Sequence, residues 1–150
     1  MSNLKEDMEV LRRVPMFDSV DPASLRLLAF TSQRMVFEPG QSLVEQGELS
    51  DEGYVIINGG ADIFVKAGAA PVKVASVGRN DFVGDIAMLT NKPRTATVTA
   101  TSKLDALVIK KTHLFDLLHH SPGMAIEMMR VLAERLTTAI SDLAKARSGC

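Results

Sequence analysis

The chain has 150 residues, enough for one domain with a full core, and a globular composition of 46% hydrophobic and 23% charged residues. Its formal net charge of −1 excludes the overall basic field of nucleic-acid binders, and its short apolar runs exclude a membrane-spanning segment. The polar N-terminus lacks a signal-peptide core and the only cysteine is Cys150, so we expect a cytoplasmic protein without an internal disulfide.

Two helices are predicted at the start of the chain, within residues 1–30. The first covers residues 4–14, where apolar side chains share one face: Leu4, Met8 and Leu11. The second begins at Asp21, an N-cap residue, with Pro22 in its first turn, and then continues with apolar residues: Leu25, Leu27, Leu28 and Phe30.

Residues 31–110 change to short β-rich runs that glycine or proline separates. Seven strands are predicted: Arg34–Phe37, Ser42–Val44, Tyr54–Ile57, Ala61–Val65, Val72–Val77, Thr95–Ala100 and Leu104–Ile109. Asn58 followed by Gly59 is a strong hairpin signal. Many short strands with regular turns indicate a mainly β domain, a jelly roll or double-stranded β-helix barrel with flanking helices.

The most informative stretch interrupts these strands at residues 81–98. An apolar pair, a glycine, a carboxylate, a short helical turn and an arginine follow one another: Phe82, Val83, Gly84, Asp85, Ile86–Leu89 and Arg94. Gly84 lets the backbone approach a ligand, and the first N–H groups of the turn lack internal partners and attract phosphate. The Arg94 guanidinium matches phosphate oxygens, and Asp85 suits a ribose hydroxyl. Each part alone is typical of an ordinary turn, whereas together they predict a sugar-phosphate site.

This stretch resembles the phosphate-binding cassette of cyclic nucleotide-binding domains, Phe-x-Gly-Glu-x-Ala-Leu, a spacer and Arg-(Ser/Thr/Ala)-Ala-x-Val. The matching positions are Phe82, Gly84, Ala87, Leu89, Arg94, Thr95, Ala96 and Val98. Residues 43–59 resemble the family's first signature, a Gly-acidic turn before a Tyr-x-Ile strand and a second glycine turn. With the flanking helices, the resemblance covers nearly the whole of residues 1–150, which we treat as a single domain.

The resemblance implies a regulatory sensor that binds a 3′,5′-cyclic nucleotide, cAMP or cGMP, and needs no other cofactor. It assigns the ligand to Val83, Gly84, Asp85, Ile86, Ala87, Arg94, Thr95 and Ala96. Arg94 and the N–H groups of Ile86 and Ala87 would hold the cyclic phosphate. Asp85 would hold the ribose 2′-hydroxyl, and Thr95 would contact the phosphate or the purine.

Asp85 departs from the family pattern, which has glutamate at this position. Aspartate keeps the carboxylate but is one methylene shorter, so the ribose contact is lost or passes through water. Such a loss weakens binding by about tenfold to a hundredfold. The alternative is a degenerate domain that no longer binds nucleotide and acts as a protein-interaction module.

Two further helices are predicted within residues 111–147, a short one over 112–119 and a long one from Ser121-Pro122 to about Lys145. Apolar residues three and four apart give the long helix a heptad-like stripe: Ile126, Met129, Ala133, Leu136, Ile140 and Leu143. The stripe would dock on the barrel or close over the ligand, which we favour, or it would form a dimer seam.

Two more residues follow from the resemblance. Val74 lies near a position that contacts the base in the family, and Arg135 lies near a position where an arginine of the long helix reaches the ligand. An exposed surface arginine is an equal interpretation of Arg135. In the family the long helix moves when nucleotide binds, so we expect a protein partner or effector domain to recognise its position.

Other functions find little support. All three histidines lie in the helical tail, so we expect neither a metal centre nor an enzyme: His113, His119 and His120. The family's transcription factors carry a DNA-binding module after the long helix, and this chain has none there, so we expect no direct DNA binding. A sensor piece of a transcription regulator or channel stays open.

Overall fold

The computed structural model describes residues 4–148, apart from the side chain of Ile86, so Cys150 lies outside the described residues. Five α-helices and a 3₁₀ turn at Pro15–Phe17 are present within this range. The helices are α1 (Leu4–Arg12), α2 (Pro22–Thr31), α3 (Asp85–Thr90), α4 (Lys111–His120) and α5 (Pro122–Ser148). The strands are β1 (Gln33–Phe37), β2 (Ser42–Val44), β3 (Glu52–Asn58), β4 (Ala61–Lys66), β5 (Pro71–Val77), β6 (Phe82–Val83), β7 (Thr97–Ala100) and β8 (Leu104–Lys110).

Proline and a side-chain cap set the helix ends in the first part of the chain. Helix α1 ends at Arg12, two residues before the predicted end, because Val14 precedes Pro15 and takes the extended backbone that this position favours. Helix α2 begins as predicted: the Asp21 carboxylate accepts a hydrogen bond from the backbone N–H of Ser24 at 3.1 Å.

The eight strands form two four-stranded sheets in which neighbouring strands are antiparallel. The first sheet has the order β1-β8-β3-β6, and the second sheet has the order β2-β7-β4-β5. With helices flanking them, these sheets confirm the predicted jelly roll. No helix among residues 4–148 is long and apolar enough to cross a membrane.

The hairpin predicted at Asn58-Gly59 is wrong. Strand β3 pairs with β8 and β6 in the first sheet, whereas β4 pairs with β5 and β7 in the second. The turn therefore carries the chain from one sheet to the other. Gly59 has a φ of 92°, and a Cβ there would clash with the Lys103 carbonyl oxygen, so glycine is needed for this crossing.

The first sheet lies between two apolar clusters. Val55 and Leu107 belong to the cluster that joins it to the helices, and Ile56 and Val108 belong to the cluster between the two sheets. Successive residues of β3 and β8 point to opposite faces, so near-continuous apolar runs fill both clusters. The molecule therefore has three layers: helices, first sheet and second sheet.

The predicted docking of the α5 stripe is wrong. Its five large side chains are between 55% and 63% exposed: Ile126, Met129, Leu136, Ile140 and Leu143. A different face of the helix packs on the domain, through buried Met124 and Met128 and partly buried Leu132. Apolar spacing alone could not show which of two faces meets the domain.

Candidate functional site

The cassette begins where β6 leaves the first sheet. Val83 pairs with Tyr54 of β3, and the next residue, Gly84, has a φ of 90° and precedes helix α3. A Cβ at Gly84 would lie 2.6 Å from Nη1 of Arg94. Only glycine allows both this left-handed turn and the approach of the arginine, and the predicted approach of a ligand to Gly84 stays a prediction.

Arg94 is buried inside the domain and is only 3% exposed. Its Nη1 donates to the Gly84 carbonyl oxygen at 3.0 Å, and its Nη2 donates to the Glu52 carbonyl oxygen. Its Nε is also buried and has no hydrogen-bond partner among the described residues. A guanidinium carries five N–H donors, so carbonyl contacts hold this cation in place while donors remain for an anion.

Residues 43–59, the second stretch that resembles a family signature, position the backbone of Arg94. The N–H of Arg94 donates to the Glu48 carbonyl oxygen at 2.9 Å, and the N–H of Gly47 donates to the Arg94 carbonyl oxygen at 2.9 Å. Residues 43–59, for which the sequence pattern predicted no ligand contact, thus fix Arg94 through the carbonyls of Glu48 and Glu52. Backbone partners leave no side-chain signal in a sequence, which is why they were missed.

Asp85 and Arg135 form an ion pair between the cassette and helix α5. Nη1 of Arg135 lies 2.9 Å from Oδ2 of Asp85, whose side chain is 5% exposed, whereas that of Arg135 is 44% exposed. Arg135 therefore reaches the cassette and is not a plain surface residue. A guanidinium beside the buried carboxylate offsets part of its desolvation.

A cavity of about 540 Å³ lies beside Asp85 and Arg94. Its lining includes nine of the predicted ligand residues: Val74, Val83, Gly84, Asp85, Ala87, Arg94, Thr95, Ala96 and Arg135. Ile86 lies in α3, and its side chain is outside the described part of the chain. This volume is within the usual range for small-ligand pockets.

The far wall of the cavity comes from the second sheet and is mainly apolar. The sequence did not single out most of these residues: Val44, Ile63, Val65, Ala75, Val77 and Val98. Alternation along β4 and β5 is the signal that could have found Ile63 and Val65 on one strand and Ala75 and Val77 on the other, because residues two apart share a face. The cavity is thus charged at the cassette and apolar at the opposite end.

Tyr54 of β3 pairs with Val83, the residue that precedes the glycine of the cassette. Its ring meets the Phe37 ring edge-on, with the ring centroids 5.9 Å apart. Burial raises the pKa of the Tyr54 phenol above its ordinary value, and the charge of Glu52 adds to the rise. The phenol is therefore neutral at physiological pH and adds no negative charge near Arg94.

A second cavity, of about 620 Å³, lies between α2 and α4. Of its titratable lining residues, Asp116 and His120 are exposed and His113 is half-buried, whereas the cassette cavity contains the fully buried pair Asp85 and Arg94. Buried ionisable groups beside a cavity are the better indication of a functional site. The cassette cavity is therefore the candidate site.

Comparison with known proteins gives a family match at the same place. Residues 34–121, more than half of the chain, match the cyclic nucleotide-binding domain. A curated relative, the CRP-like cAMP-activated global transcriptional regulator of Mycobacterium tuberculosis, is 27% identical over 91% of this chain and 61% of its own length. The cAMP-dependent protein kinase regulatory subunit of Yarrowia lipolytica is 34% identical over 67% of this chain and 26% of its own length.

Solved structures show the same fold. The catabolite activator protein of Thermus thermophilus superposes with a TM-score of 0.79 at 23% identity, over 89% of this chain and 63% of that one. The chain therefore spans about three fifths of the bacterial regulators and about a quarter of the kinase subunit.

Proposed function

The chain belongs to the cyclic nucleotide-binding domain family, and on that basis we propose that it binds a 3′,5′-cyclic nucleotide in the cavity beside Arg94. One observation carries the proposal: a buried arginine with an unpartnered Nε, among the described residues, lies beside a cavity of about 540 Å³. A buried cation with unused donors gains most from a compact anion.

The cassette supplies a separate partner for each part of the sugar phosphate. The cyclic phosphate pairs with the Arg94 guanidinium, aided by the backbone N–H groups of Ile86 and Ala87 in the first turn of α3. The ribose 2′-hydroxyl donates to the Asp85 carboxylate. Arg135 already pairs with that carboxylate, so the hydroxyl joins an existing ion pair.

The purine lies against the apolar wall of the second sheet. Val74 of β5 and Ile63 of β4 line this end of the cavity, and Thr95 at its edge brings a hydroxyl that both donates and accepts. A hydroxyl of this kind suits the edge of adenine as well as that of guanine. We therefore propose both cAMP and cGMP as ligands.

Helix α5 carries the signal. Arg135 links this helix to Asp85, so a nucleotide that contacts Asp85 changes the free energy of one placement of the helix relative to others. A protein partner or effector domain then recognises the favoured placement. The bacterial relative is a transcriptional regulator that extends beyond the matched part, and we propose an equivalent sensor role for this chain.

Titration calorimetry with cAMP and cGMP tests the binding proposal. Arg94→Ala removes the cation, and we expect affinity to fall by about thirtyfold or more, since truncating one partner of a buried charge pair costs about 2–5 kcal/mol. The matched control is Arg130→Ala, an exposed arginine of α5 that pairs with Glu134 at 2.8 Å. An Arg94→Ala affinity within a few-fold of the unmodified protein would place the phosphate elsewhere.

A degenerate domain is the second candidate, and the Asp85–Arg135 ion pair favours it. The shorter acid is already paired with a residue of α5, so the cassette and helix are joined without a ligand. In that case the domain acts as a fixed protein-interaction module. No heat and no thermal shift with millimolar cAMP or cGMP would support this alternative.

A further inference from the structure

We propose that the groove between α2 and α4 binds a short amphipathic helix of a partner protein, one that presents apolar side chains and a lysine or arginine. This groove is the second cavity, of about 620 Å³. None of its lining residues also lines the cassette cavity. The proposal does not depend on nucleotide binding, so it is tested in the absence of nucleotide.

The two helices that form the groove lie side by side and run in roughly opposite directions. Helix α2 leads into β1 and helix α4 leaves β8, and Gln33 of β1 pairs with Val108 of β8. The end of α2 and the start of α4 therefore meet at one edge of the first sheet. The lining extends from Ala23 to Thr31 on one helix and from His113 to His120 on the other, which makes the groove about 12 Å long.

The groove has an apolar floor and an apolar rim. Leu28 and Leu117 line it and are only 3% and 6% exposed. At the rim, Leu27 is 64% exposed, and Phe30, three residues further along the same side of α2, is 75% exposed. Large apolar side chains that are exposed beside a concave apolar surface indicate an interaction site. A partner that covers both the floor and the rim removes this surface from water.

An amphipathic helix fits this shape. Its apolar side chains recur every three or four residues along one face, so three of them span roughly 10 Å and reach from one end of the groove to the other. Asp116 and His120 in the lining are exposed, and the polar side chains that flank the apolar face of such a helix would meet them. A small molecule inside the groove would leave Leu27 and Phe30 exposed.

The charged side chains at the groove favour a basic partner. Asp116 is the only aspartate, glutamate, lysine or arginine in the lining, and its carboxylate forms no ion pair within residues 4–148. Asp21 adds a second carboxylate at the start of α2, beside Ser24 of the lining. Hydrogen bonds from the hydroxyl and the N–H of Ser24 lower the pKa of Asp21, so this group is ionised at neutral pH. A lysine or arginine complements both carboxylates, whereas an acidic helix is repelled.

A second copy of this chain is a less suitable occupant. In a symmetric contact the groove would face the same groove of the other copy. Two concave surfaces would leave the floor at Leu28 and Leu117 unfilled. The carboxylates of Asp21 and Asp116 would also approach their own equivalents, and like charges across an interface oppose association. We therefore assign the groove to a different protein.

An NMR titration of the isotope-labelled chain with a designed peptide tests the proposal. The probe is an alanine-based helix of about 14 residues with three leucines, four and three residues apart, and two lysines beside them. We expect saturable shifts of the amide signals of α2 and α4. Leu27→Gln removes a rim contact without changing the charge and should weaken binding by about tenfold or more. Leu49→Gln is the matched control, at a leucine that is 74% exposed between β2 and β3, and should leave affinity unchanged.

A reversal of charge tests the preference for a basic partner. The same peptide with glutamate in place of both lysines should bind about fivefold more weakly or worse, and Asp116→Lys should reverse the order of the two peptides. Circular dichroism checks that each variant stays folded. Equal affinities of the two peptides would overturn the basic partner. No saturation at millimolar peptide, or shifts confined to residues outside α2 and α4, would overturn the groove as the site.

Sedimentation equilibrium of the chain alone tests the other occupant. We expect the mass to stay near 16.2 kDa as the concentration rises. A mass that doubles, and that Leu27→Gln returns to the value of one chain, would assign the groove to a second copy and overturn the proposal.

Discussion

The two sheets of this domain differ in what covers them. In the first sheet, the interiors of β3 and β8 are buried on both faces, and Val55 and Leu107 have no exposed surface. In the second sheet, β4 is half-buried and β5 is exposed along most of its length, with Val72 61% exposed and Val74 57% exposed. The difference indicates that β3 and β8 contribute most to the stability of the fold, whereas β4 and β5 form an open wall of the cavity.

The largest effect is expected where the first sheet is most tightly packed. Leu107→Ala removes a fully buried side chain and should lower the free energy of unfolding by about 2–5 kcal/mol. Val72→Ala on β5 is the matched change in the second sheet, and it should stay within about 0.5 kcal/mol. Urea denaturation measures both. Equal losses would mean that the two sheets contribute equally, which contradicts the comparison.

The junction of the first sheet and the cassette gives the next effect. Gly84→Ala places a Cβ at a φ of 90° and 2.6 Å from Nη1 of Arg94. We expect a loss of about 1–2 kcal/mol in stability from the backbone, and at least a tenfold loss in nucleotide affinity from the displaced guanidinium.

Gly40→Ala is the control for this substitution, because Gly40 has a φ of 92° and a Cβ added there would meet no atom of the described residues within 4 Å. It should show the same backbone cost in thermal unfolding and no change in calorimetric affinity. If Gly84→Ala also leaves affinity unchanged, the arginine does not need this close approach.

A smaller effect, on nucleotide affinity, is expected from a change at Asp85. Asp85→Glu restores the acid that is usual in the family and should hold cAMP and cGMP affinity or raise it by up to about tenfold, or 1.4 kcal/mol. Asp105→Glu on β8 controls for the added methylene. A sharp loss of affinity in calorimetry would show instead that the pocket, including Arg135, is built around the shorter carboxylate.

The smallest effects on stability and on nucleotide affinity are expected at β5, in the open wall of the cavity. Val74→Ala should change the free energy of unfolding by less than about 0.5 kcal/mol, since the side chain is mostly exposed. Nucleotide affinity should fall only a few-fold, because the purine loses part of one apolar contact. Val72→Ala, at an exposed site on the same strand, should leave affinity unchanged. A large loss of stability in Val74→Ala would show that β5 is held as firmly as β3.

Local chemistry made much of the fold predictable. Alternation and turn residues placed both ends of all seven predicted strands to within two residues, and Asp21-Pro22 marked the start of α2. The pair Phe82-Val83 and the glycine after it located the cassette, because a left-handed turn of the backbone strongly favours glycine. These features depend on residues that are neighbours in the chain.

Features that join distant residues were not predictable in the same way. Asn58-Gly59 has the chemistry of a hairpin, yet the partners of β3 and β4 lie in different sheets and decide the turn's role. The Asp85–Arg135 pair joins residues 50 positions apart. The exposed stripe of α5 has the same periodicity as a packed one. In each case the outcome depends on packing that one segment does not specify.

The two carbonyl contacts of Arg94 have a consequence for comparing sequences. By joining Gly84 to Glu52, the guanidinium braces the loop against its neighbouring strand through contacts that do not involve a nucleotide. Selection for a correctly folded loop would therefore preserve this arginine even in homologues that no longer bind nucleotide. Its retention in a newly sequenced homologue is evidence of an intact loop, and only a measured affinity can show that the homologue still senses anything.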